Sequence, residues 1–319
     1  MKNRPLLLAL FLHLVILLTS VYFAWSYYQE KLEQASIETQ STLALDVGIK
    51  KTLLDKHLTT TETEILFLAN TGSLKLALDT LKTAWAELGS TANKTLHTLY
   101  IEHNPHITKS KLLHANSDSN YDILHISIHT LLYELQLKRH YQNILLLDMQ
   151  GNVIYDVRKG KYFASNISNQ PKHISKVFSE IKKNPLNEYV SYIDFSPNDG
   201  SFFATALSDE EGEKIGILIF KISKEVIDNI AHLTPVDKHT CIENSSKNKL
   251  YFVATTCLQY KENYWLIKNK KSVEEIYSPL KKTALKHIAM MFLLGLTALI
   301  IGYTILTKFL GRQEEEEDE

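Results

Sequence analysis

Glycine is scarce in this chain, with 11 residues among 319. None of them forms the GxGxxG or GxxxxGK[ST] spacing that lets a backbone cradle phosphate groups, so nucleotide chemistry is close to excluded. The sequence also lacks an excess of positive charge, since 35 basic residues face 36 acidic ones for a net charge of -1. Nucleic-acid-binding proteins normally have a basic excess or a basic face, and we therefore expect no nucleic acid partner.

Charged residues are missing from two long runs, residues 5–29 and 287–307. Each run is longer than the roughly 20 residues that a helix needs to cross about 30 Å of hydrocarbon. We therefore predict transmembrane helices over residues 5–27 and 287–309. The first is interpreted as an uncleaved anchor, because its apolar stretch exceeds the core of about 7–15 residues in a signal peptide. For the second, the alternative is a buried core helix.

The positively charged ends of the chain define the expected topology. The positive-inside rule places residues 1–4 and the tail 310–319 in the cytoplasm and the segment between the spans in the periplasm, with the protein in a bacterial inner membrane. Three lysines on the opposite flank of the second span oppose this orientation: Lys281, Lys282 and Lys286. The acidic block at residues 314–319 is predicted to be disordered and solvated, with a docking tail for a basic partner as the alternative.

Cysteine is nearly absent, and both residues, Cys241 and Cys257, fall in the segment predicted to be exported. An even pair in an oxidising compartment predicts a disulfide that closes a loop of about 15 residues. Two buried free thiols are the alternative. A zinc site is not expected, because neither cysteine has a second one nearby.

The exported segment changes its hydrophobic period along the chain. Residues 28–140 read as a helical stalk followed by further helices, because apolar residues recur at helical spacing and proline is absent from the first part. Residues 141–230 read as a hairpin, a helix and three more strands, which predicts an α+β domain with a five-stranded antiparallel sheet. Residues 231–286 read as a small membrane-proximal module with two strands.

Several motifs in this segment resemble a known family. Residues 96–106, LHTLYIEHNPH, are similar to a segment of the extracytoplasmic sensor domains of certain bacterial methyl-accepting chemotaxis proteins and related adenylate cyclases. The similarity continues through Tyr121, His125 and His129 and then through residues 147–159 and 163–166. It covers about residues 65–229.

The resemblance implies a PAS-like (Cache) antiparallel sheet beside a long N-terminal helix, here flanked by the two predicted transmembrane helices. Such domains sense small molecules and normally signal through an attached output domain. This sequence contains no output domain, so the resemblance implies signalling to a protein partner in trans. The alternative is that the chain is part of a longer receptor.

Two histidines of the resembling segment, His125 and His129, lie four residues apart on one helical face, a spacing that can hold zinc or copper. No HExxH motif accompanies them, and we expect helix packing or hydrogen bonding instead of metal binding. A pH response near the imidazole pKa of about 6.5 is the second expectation for this pair. We expect no cofactor, and no catalytic triad with a supporting motif occurs, so we predict that the protein is not an enzyme.

The concave face of the sheet is the predicted ligand site. A basic residue could pair with a ligand carboxylate, an aspartate could receive an amine, and aromatic rings could form the walls. The residues expected to do this are Tyr155, Arg158, Lys159, Phe163, Tyr192, Asp194 and Phe203. The alternative is that the rings belong to the core and the charges are solvated.

These observations predict a membrane-anchored periplasmic sensor, expected to be a homodimer, that binds a small molecule such as an amino acid or an organic acid. The alternative is an accessory subunit of an envelope complex, in which the same fold has lost its ligand and serves for protein docking.

Overall fold

The computed structural model describes residues 4–167, 172–187, 189–196, 200–243 and 250–317. Eight α-helices are present within these residues: α1 Arg4–Ala69, α2 Gly72–Glu87, α3 Ala92–His97, α4 Asn120–Arg139, α5 Lys172–Lys183, α6 Lys224–Ile230, α7 Lys238–Glu243 and α8 Val273–Glu317. A π-helical turn, Thr98–Glu102, follows α3. The architecture is a mixed helical and antiparallel-sheet fold with a long N-terminal helix, as expected.

Eight strands accompany the helices: β1 Asn143–Asp148, β2 Val153–Asp156, β3 Val190–Ser196, β4 Gly200–Ser208, β5 Lys214–Ile222, β6 Leu233–Val236, β7 Tyr251–Tyr260 and β8 Asn263–Ser272. The first five form a sheet of order β2-β1-β5-β4-β3, in which every neighbouring pair is antiparallel. This confirms the predicted five-stranded sheet. The last three form a second sheet of order β6-β8-β7.

The chain divides into two compact units. Unit 1 comprises residues 1–48, 243–256 and 268–319, and unit 2 comprises residues 49–242 and 257–267. The five-stranded sheet lies wholly in unit 2. In unit 1 the N-terminal part of α1 lies beside α8, where a side chain added at Gly295 would meet the His13 ring at 3.5 Å.

Helix α5 covers one face of the five-stranded sheet. Its apolar positions Ile174, Val177 and Ile181 are buried among side chains of four strands, which is the pattern of an amphipathic helix on a sheet. Helices α2 and α4 lie on the other face of this sheet. There Leu78 of α2 approaches Gly216 of β5 so closely that a methyl group added at Gly216 would lie 2.3 Å from the Leu78 side chain.

The hairpin between β1 and β2 is fixed by Asp148. Its carboxylate accepts hydrogen bonds from the backbone N–H groups of Gln150 and Asn152 at 2.9 and 2.8 Å, the usual way in which aspartate closes a turn. Gly151 within this turn has φ of +87°, a region that glycine adopts without steric cost.

The predicted disulfide is confirmed, with Cys241 bonded to Cys257 inside unit 2. Two short elements of this region, α7 and β6, were not predicted. Helix α6 begins after the cap Ser223, whose hydroxyl accepts from the N–H of Val226, and Leu233 belongs to β6.

Helix α8 corrects the expectation for the acidic block. It begins at Val273 and includes Pro279, and it runs on to Glu317, so residues 314–317 of the acidic block are helical instead of disordered. Glutamate is a good helix former and can extend a helix that is already nucleated. Residues 318 and 319 lie outside the described residues.

One segment of the described residues, Val273–Ile305, is long and apolar enough to cross a membrane. This agrees with the second predicted span. The first span, residues 5–27, stays a prediction; α1 is helical there.

Candidate functional site

Strand pairing places three of the sequence-predicted site residues on one face of the sheet. Tyr155 of β2 pairs with Leu146 of β1, and Tyr192 of β3 pairs with Phe203 of β4. Since directly paired residues point to the same face, the register from β1 through β5 to β4 puts all three on the face opposite α5. All three are buried.

Tyr155 lies under α4, together with Lys159 and Phe163. The Tyr155 hydroxyl is 2.6 Å from Nδ1 of His129, and the Lys159 Nζ atom is 3.3 Å from the same nitrogen. The ring of Tyr100, in the π-helical turn, lies 5.6 Å from the ring of Phe163 and 5.9 Å from Lys159 Nζ. The structure therefore brings these three predicted residues together.

Both histidines of α4 take part in this cluster, and their hydrogen bonds fix the ring tautomers. His129 Nε2 lies 2.7 Å from the carbonyl oxygen of Ser110, which can only accept, so Nδ1 is left to accept from Tyr155. His125 donates through Nδ1 to the carbonyl oxygen of Leu113 at 2.9 Å, and its ring stacks on His129 at 4.7 Å. The expected roles in packing and hydrogen bonding are observed.

The prediction that this histidine pair responds to pH with a pKa near 6.5 is wrong. Burial lowers the pKa of His129 to about 4, with the nearby Lys159 acting in the same direction. Burial also lowers the pKa of His125 well below its usual value. Both rings are neutral at physiological pH.

Lys159 is the unusual member of the cluster. Its side chain is 2% exposed, and within the described part of the chain its Nζ atom contacts the His129 ring and no carboxylate. Burial lowers the pKa of this ammonium to about 7, against an opposing effect of Asp156. Its backbone has φ of +50°, a conformation that is strained for a residue with a Cβ atom.

The other predicted site residues lie elsewhere. Tyr192 and Phe203 pack at 4.8 Å from each other and form an aromatic group with Tyr260 and Trp265. This is a core arrangement, apart from the Lys159 cluster. Arg158 is exposed. Asp194 belongs to β3, but its side chain lies outside what the structure describes.

A second polar group lies at the opposite face of the sheet, on the side of α5. Asp156 of β2 pairs with Leu145, whose side chain belongs to the apolar cluster under α5, so the carboxylate points to that face. Two positions along, Asn143 pairs with Lys221 of β5, and Lys221 pairs with Phe202 of β4. We call this group the α5-side corner: Asn143, Asp156, Tyr162, Phe202 and Lys221.

Charges in the α5-side corner are almost fully removed from solvent. Asp156 is 0% exposed and Lys221 is 7% exposed. Lys221 Nζ lies over two aromatic rings, 5.8 Å from the centre of Tyr162 and 5.4 Å from that of Phe202, which is cation–π geometry.

One oxygen of Asp156 is unsatisfied. Oδ2 accepts from the N–H of Gly160 at 3.1 Å, whereas Oδ1 is buried and has no hydrogen-bond partner within the described residues. Burial raises the pKa of this carboxyl group. A buried acceptor without a donor costs about 1–3 kcal/mol, so such an atom is unusual in a folded domain.

The corner contains the chemistry that the sequence predicted, supplied by different residues. An acid, a base and two aromatic walls are present, and three of these four groups are sequence neighbours of residues chosen from the pattern: Asp156 beside Tyr155, Tyr162 beside Phe163, Phe202 beside Phe203. Because side chains alternate along a strand, a shift of one residue selects the opposite face. Lys221 and Asn143 were missed, since only the strand register brings them to this place.

No protein-family model and no curated protein matches the chain. Solved structures with similarity include the extracellular domain described as that of a histidine kinase, vpHK1S-Z8, with 12% identity, a TM-score of 0.44, and coverage of 79% of this chain and 96% of that one. The ligand-binding domain of Campylobacter jejuni chemoreceptor Tlp3 in complex with L-norvaline has 11% identity, a TM-score of 0.36, and coverage of 76% and 94%.

The sensor domain of the V. cholerae histidine kinase DctB has 13% identity, a TM-score of 0.32, and coverage of 62% of this chain and 96% of that one. These neighbours are sensor domains of histidine kinases and chemoreceptors, the class that the sequence motifs resemble. Because every TM-score is below 0.5, the function proposed below rests on the geometry of the site.

Proposed function

We propose that this protein is a periplasmic sensor, anchored in a bacterial inner membrane, that binds a small molecule and signals to a partner in trans. The observation that carries the proposal is the buried, unpaired Oδ1 atom of Asp156 in the α5-side corner. The role is binding, since the corner offers recognition groups and no nucleophile with a base beside it.

The ligand class follows from the charges. Asp156 would receive an ammonium group through Oδ1, and Lys221 would pair with a carboxylate on the other side of β1. Tyr162 and Phe202 would enclose the apolar part between them. A molecule with one amine and one carboxylate, such as an amino acid, would offer a counter-charge to each of these two side chains, and charge-assisted hydrogen bonds of this kind are about twice as strong as neutral ones.

The turn after β2 would provide the route to the corner, because three of its residues, Arg158, Gly160 and Lys161, are exposed. Of the residues predicted from the sequence, Arg158 would attract an anionic group from solvent. Lys159 would hold the turn on the α4 side of the sheet, where its Nζ atom contacts His129. Tyr155 and Phe163 lie beside this contact.

Signalling would use the long helix α1 and the second span in α8. The helix is continuous from Arg4 to Ala69, so a displacement of its end would be carried along its axis. A ligand that binds one of two helix packings more tightly by a few kcal/mol is sufficient to change their populations. We propose a homodimer as the signalling unit, with the partner protein responding to the shift.

A thermal-shift screen of the full chain in detergent tests this function. The probes are amino acids, organic acids and divalent metals, applied to the native protein, to Asp156→Asn and to a matched control, Asp118→Asn, at an exposed position. We expect saturable stabilisation by at least one amino acid, its loss in Asp156→Asn and its retention in Asp118→Asn.

If no compound of this panel raises the melting temperature, and a stable complex copurifies with the chain, sensing would be overturned in favour of the accessory-subunit alternative. Equal stabilisation of the native protein and Asp156→Asn would place the ligand away from the α5-side corner.

A further inference from the structure

Unit 1 contains a cavity of about 500 Å³ beside the start of α8. Its walls include three tyrosines, Tyr28 of α1, Tyr251 of β7 and Tyr277 of α8. Two charged side chains of α8, Glu274 and Lys281, complete it. The cavity is thus aromatic, with one acid and one base.

The polar groups of this cavity are unused within the described residues. The hydroxyl groups of the three tyrosines make no hydrogen bond there, and neither Lys281 nor Glu274 forms an ion pair. Each tyrosine ring has a neighbour: Trp25 lies 5.9 Å from Tyr28, Phe252 lies 5.9 Å from Tyr277, and Lys270 Nζ lies 5.0 Å from the centre of the Tyr251 ring. The three hydroxyl groups, the acid and the base therefore line one space without a hydrogen-bond or ion-pair partner among the described residues.

The order of these groups along α8 matches the layers of a bilayer. The predicted second span begins at residue 287, and a helix rises 1.5 Å per residue. Lys281 therefore lies about 9 Å before the apolar span and Glu274 about 20 Å before it. Lysine side chains bend toward the interface, so the Lys281 ammonium falls at the depth of lipid phosphates, and Glu274 lies farther out. Tyr28 directly follows the first predicted span.

We propose that this cavity binds the headgroup of a phospholipid that carries both a phosphate and a primary ammonium, such as phosphatidylethanolamine. Lys281 and the tyrosine hydroxyls hold the phosphate, and Glu274 receives the ammonium, which also lies over the tyrosine rings. The acyl chains point toward the apolar span, so the headgroup extends outward from the phosphate at Lys281 to the ammonium at Glu274. This site is independent of the sensor ligand and rests on the membrane position of α8.

The same site gives a reason for Lys281, one of the three lysines that oppose the predicted topology. Positive charge on the outer flank of a span is unfavourable for insertion but favourable for contact with lipid phosphates. Lys281 is therefore expected on the outer side as a lipid contact, whereas Lys282 and Lys286 lie outside the cavity wall.

Native mass spectrometry of the full chain, released from mixed micelles that contain phosphatidylethanolamine, phosphatidylcholine and phosphatidylglycerol in equal amounts, tests the proposal. We expect the native protein to retain phosphatidylethanolamine about threefold more than the other two lipids, the effect of one hydrogen bond that its primary ammonium donates to Glu274 and that neither a quaternary ammonium nor a glycerol headgroup without an amine can replace with the same charge. Lys281→Gln is expected to lose retention of all three. Glu274→Gln is expected to retain phosphatidylethanolamine and phosphatidylcholine equally, because the N–H groups of the ammonium then have no carboxylate to bond.

Lys282→Gln is the matched control, with the same charge change at the adjacent position outside the cavity wall, and it should retain lipid like the native protein. Equal losses in Lys281→Gln and Lys282→Gln would overturn the site in favour of unspecific attraction. Displacement of the lipid by excess inorganic phosphate would overturn the lipid headgroup as the source of the phosphate. Retention that is the same for all three lipids in the native protein would contradict the role of Glu274.

Discussion

Asp156 and Lys159 lie three residues apart and direct two buried charged groups to opposite faces of the same sheet. Asp156 points toward α5, and Lys159 contacts His129 of α4. Burial shifts the pKa of both groups toward the neutral form, upward for Asp156 and downward for Lys159. We therefore expect the turn between them to respond to pH.

Lys159 should make stability depend on pH in a defined direction. Its pKa is about 7 in the folded protein against an ordinary value of 10.5, so between these values the unfolded chain binds more protons. The free energy of unfolding then rises with pH across this window, by up to about 1.4 kcal/mol per pH unit from this group. We expect Lys159→Met to remove this rise and to stabilise the protein most at pH 7 and below.

Urea denaturation of the full chain in detergent at a series of pH values between 6 and about 9 measures the effect. Lys138→Met, at an exposed position on α4, is the control and should follow the native profile. A Lys159→Met profile parallel to that of the native protein would show that the Lys159 ammonium is not buried as described.

At the scale of elements, most helices and strands could be predicted from the sequence, because each has a clear period and a chemical boundary. Helix α4 begins after Ser119, whose side chain accepts from the N–H of Asp122, and its C-cap His140 is left-handed. Short elements such as α7 and β6 were not predicted, because four to six residues are too few to show a hydrophobic period. The α5-side corner was not predicted for another reason: which face a strand residue occupies depends on a register that local sequence does not encode.

The contact between α2 and the sheet gives a prediction for two glycines. Gly216 of β5 leaves room for Leu78, and a Cβ atom there would lie 2.3 Å from the leucine side chain and 2.5 Å from the carbonyl oxygen of Leu147. Gly216→Ala is therefore expected to lower the free energy of unfolding by about 1–3 kcal/mol through overpacking.

Gly48 is the matched comparison, because it lies inside α1 with no atom within 4 Å of an added Cβ. Gly48→Ala should raise stability by up to about 1 kcal/mol, the difference in helix propensity. Thermal unfolding of both variants checks the pair, and a neutral Gly216→Ala would contradict the close approach of α2 to β5.

At the scale of the whole molecule, the disulfide indicates an oxidising compartment for the segment between the two predicted spans. Cys241 and Cys257 are bonded, and a bond of this kind persists in oxidising compartments such as the periplasm. The native chain should show no reactive thiol before reduction. Replacing both cysteines by serine should lower the free energy of unfolding by about 3 kcal/mol, as expected for a loop of this length.

Thiol titration of protein taken directly from cells, with and without reductant, measures the first point, and urea denaturation of the double variant measures the second. Free thiols in the protein as isolated from cells would argue against export of this segment.

The central claim is that the α5-side corner recognises an amine and a carboxylate together. Isothermal titration of the full chain with amino acids, with the amines that lack their carboxylate, and with the acids that lack their amine tests it most directly. We predict heat of binding only for ligands that carry both groups, and at least a tenfold weaker affinity in Asp156→Asn, the effect of one charged hydrogen bond. Acids without an amine that bind as tightly, or an unchanged affinity in Asp156→Asn, would contradict the account.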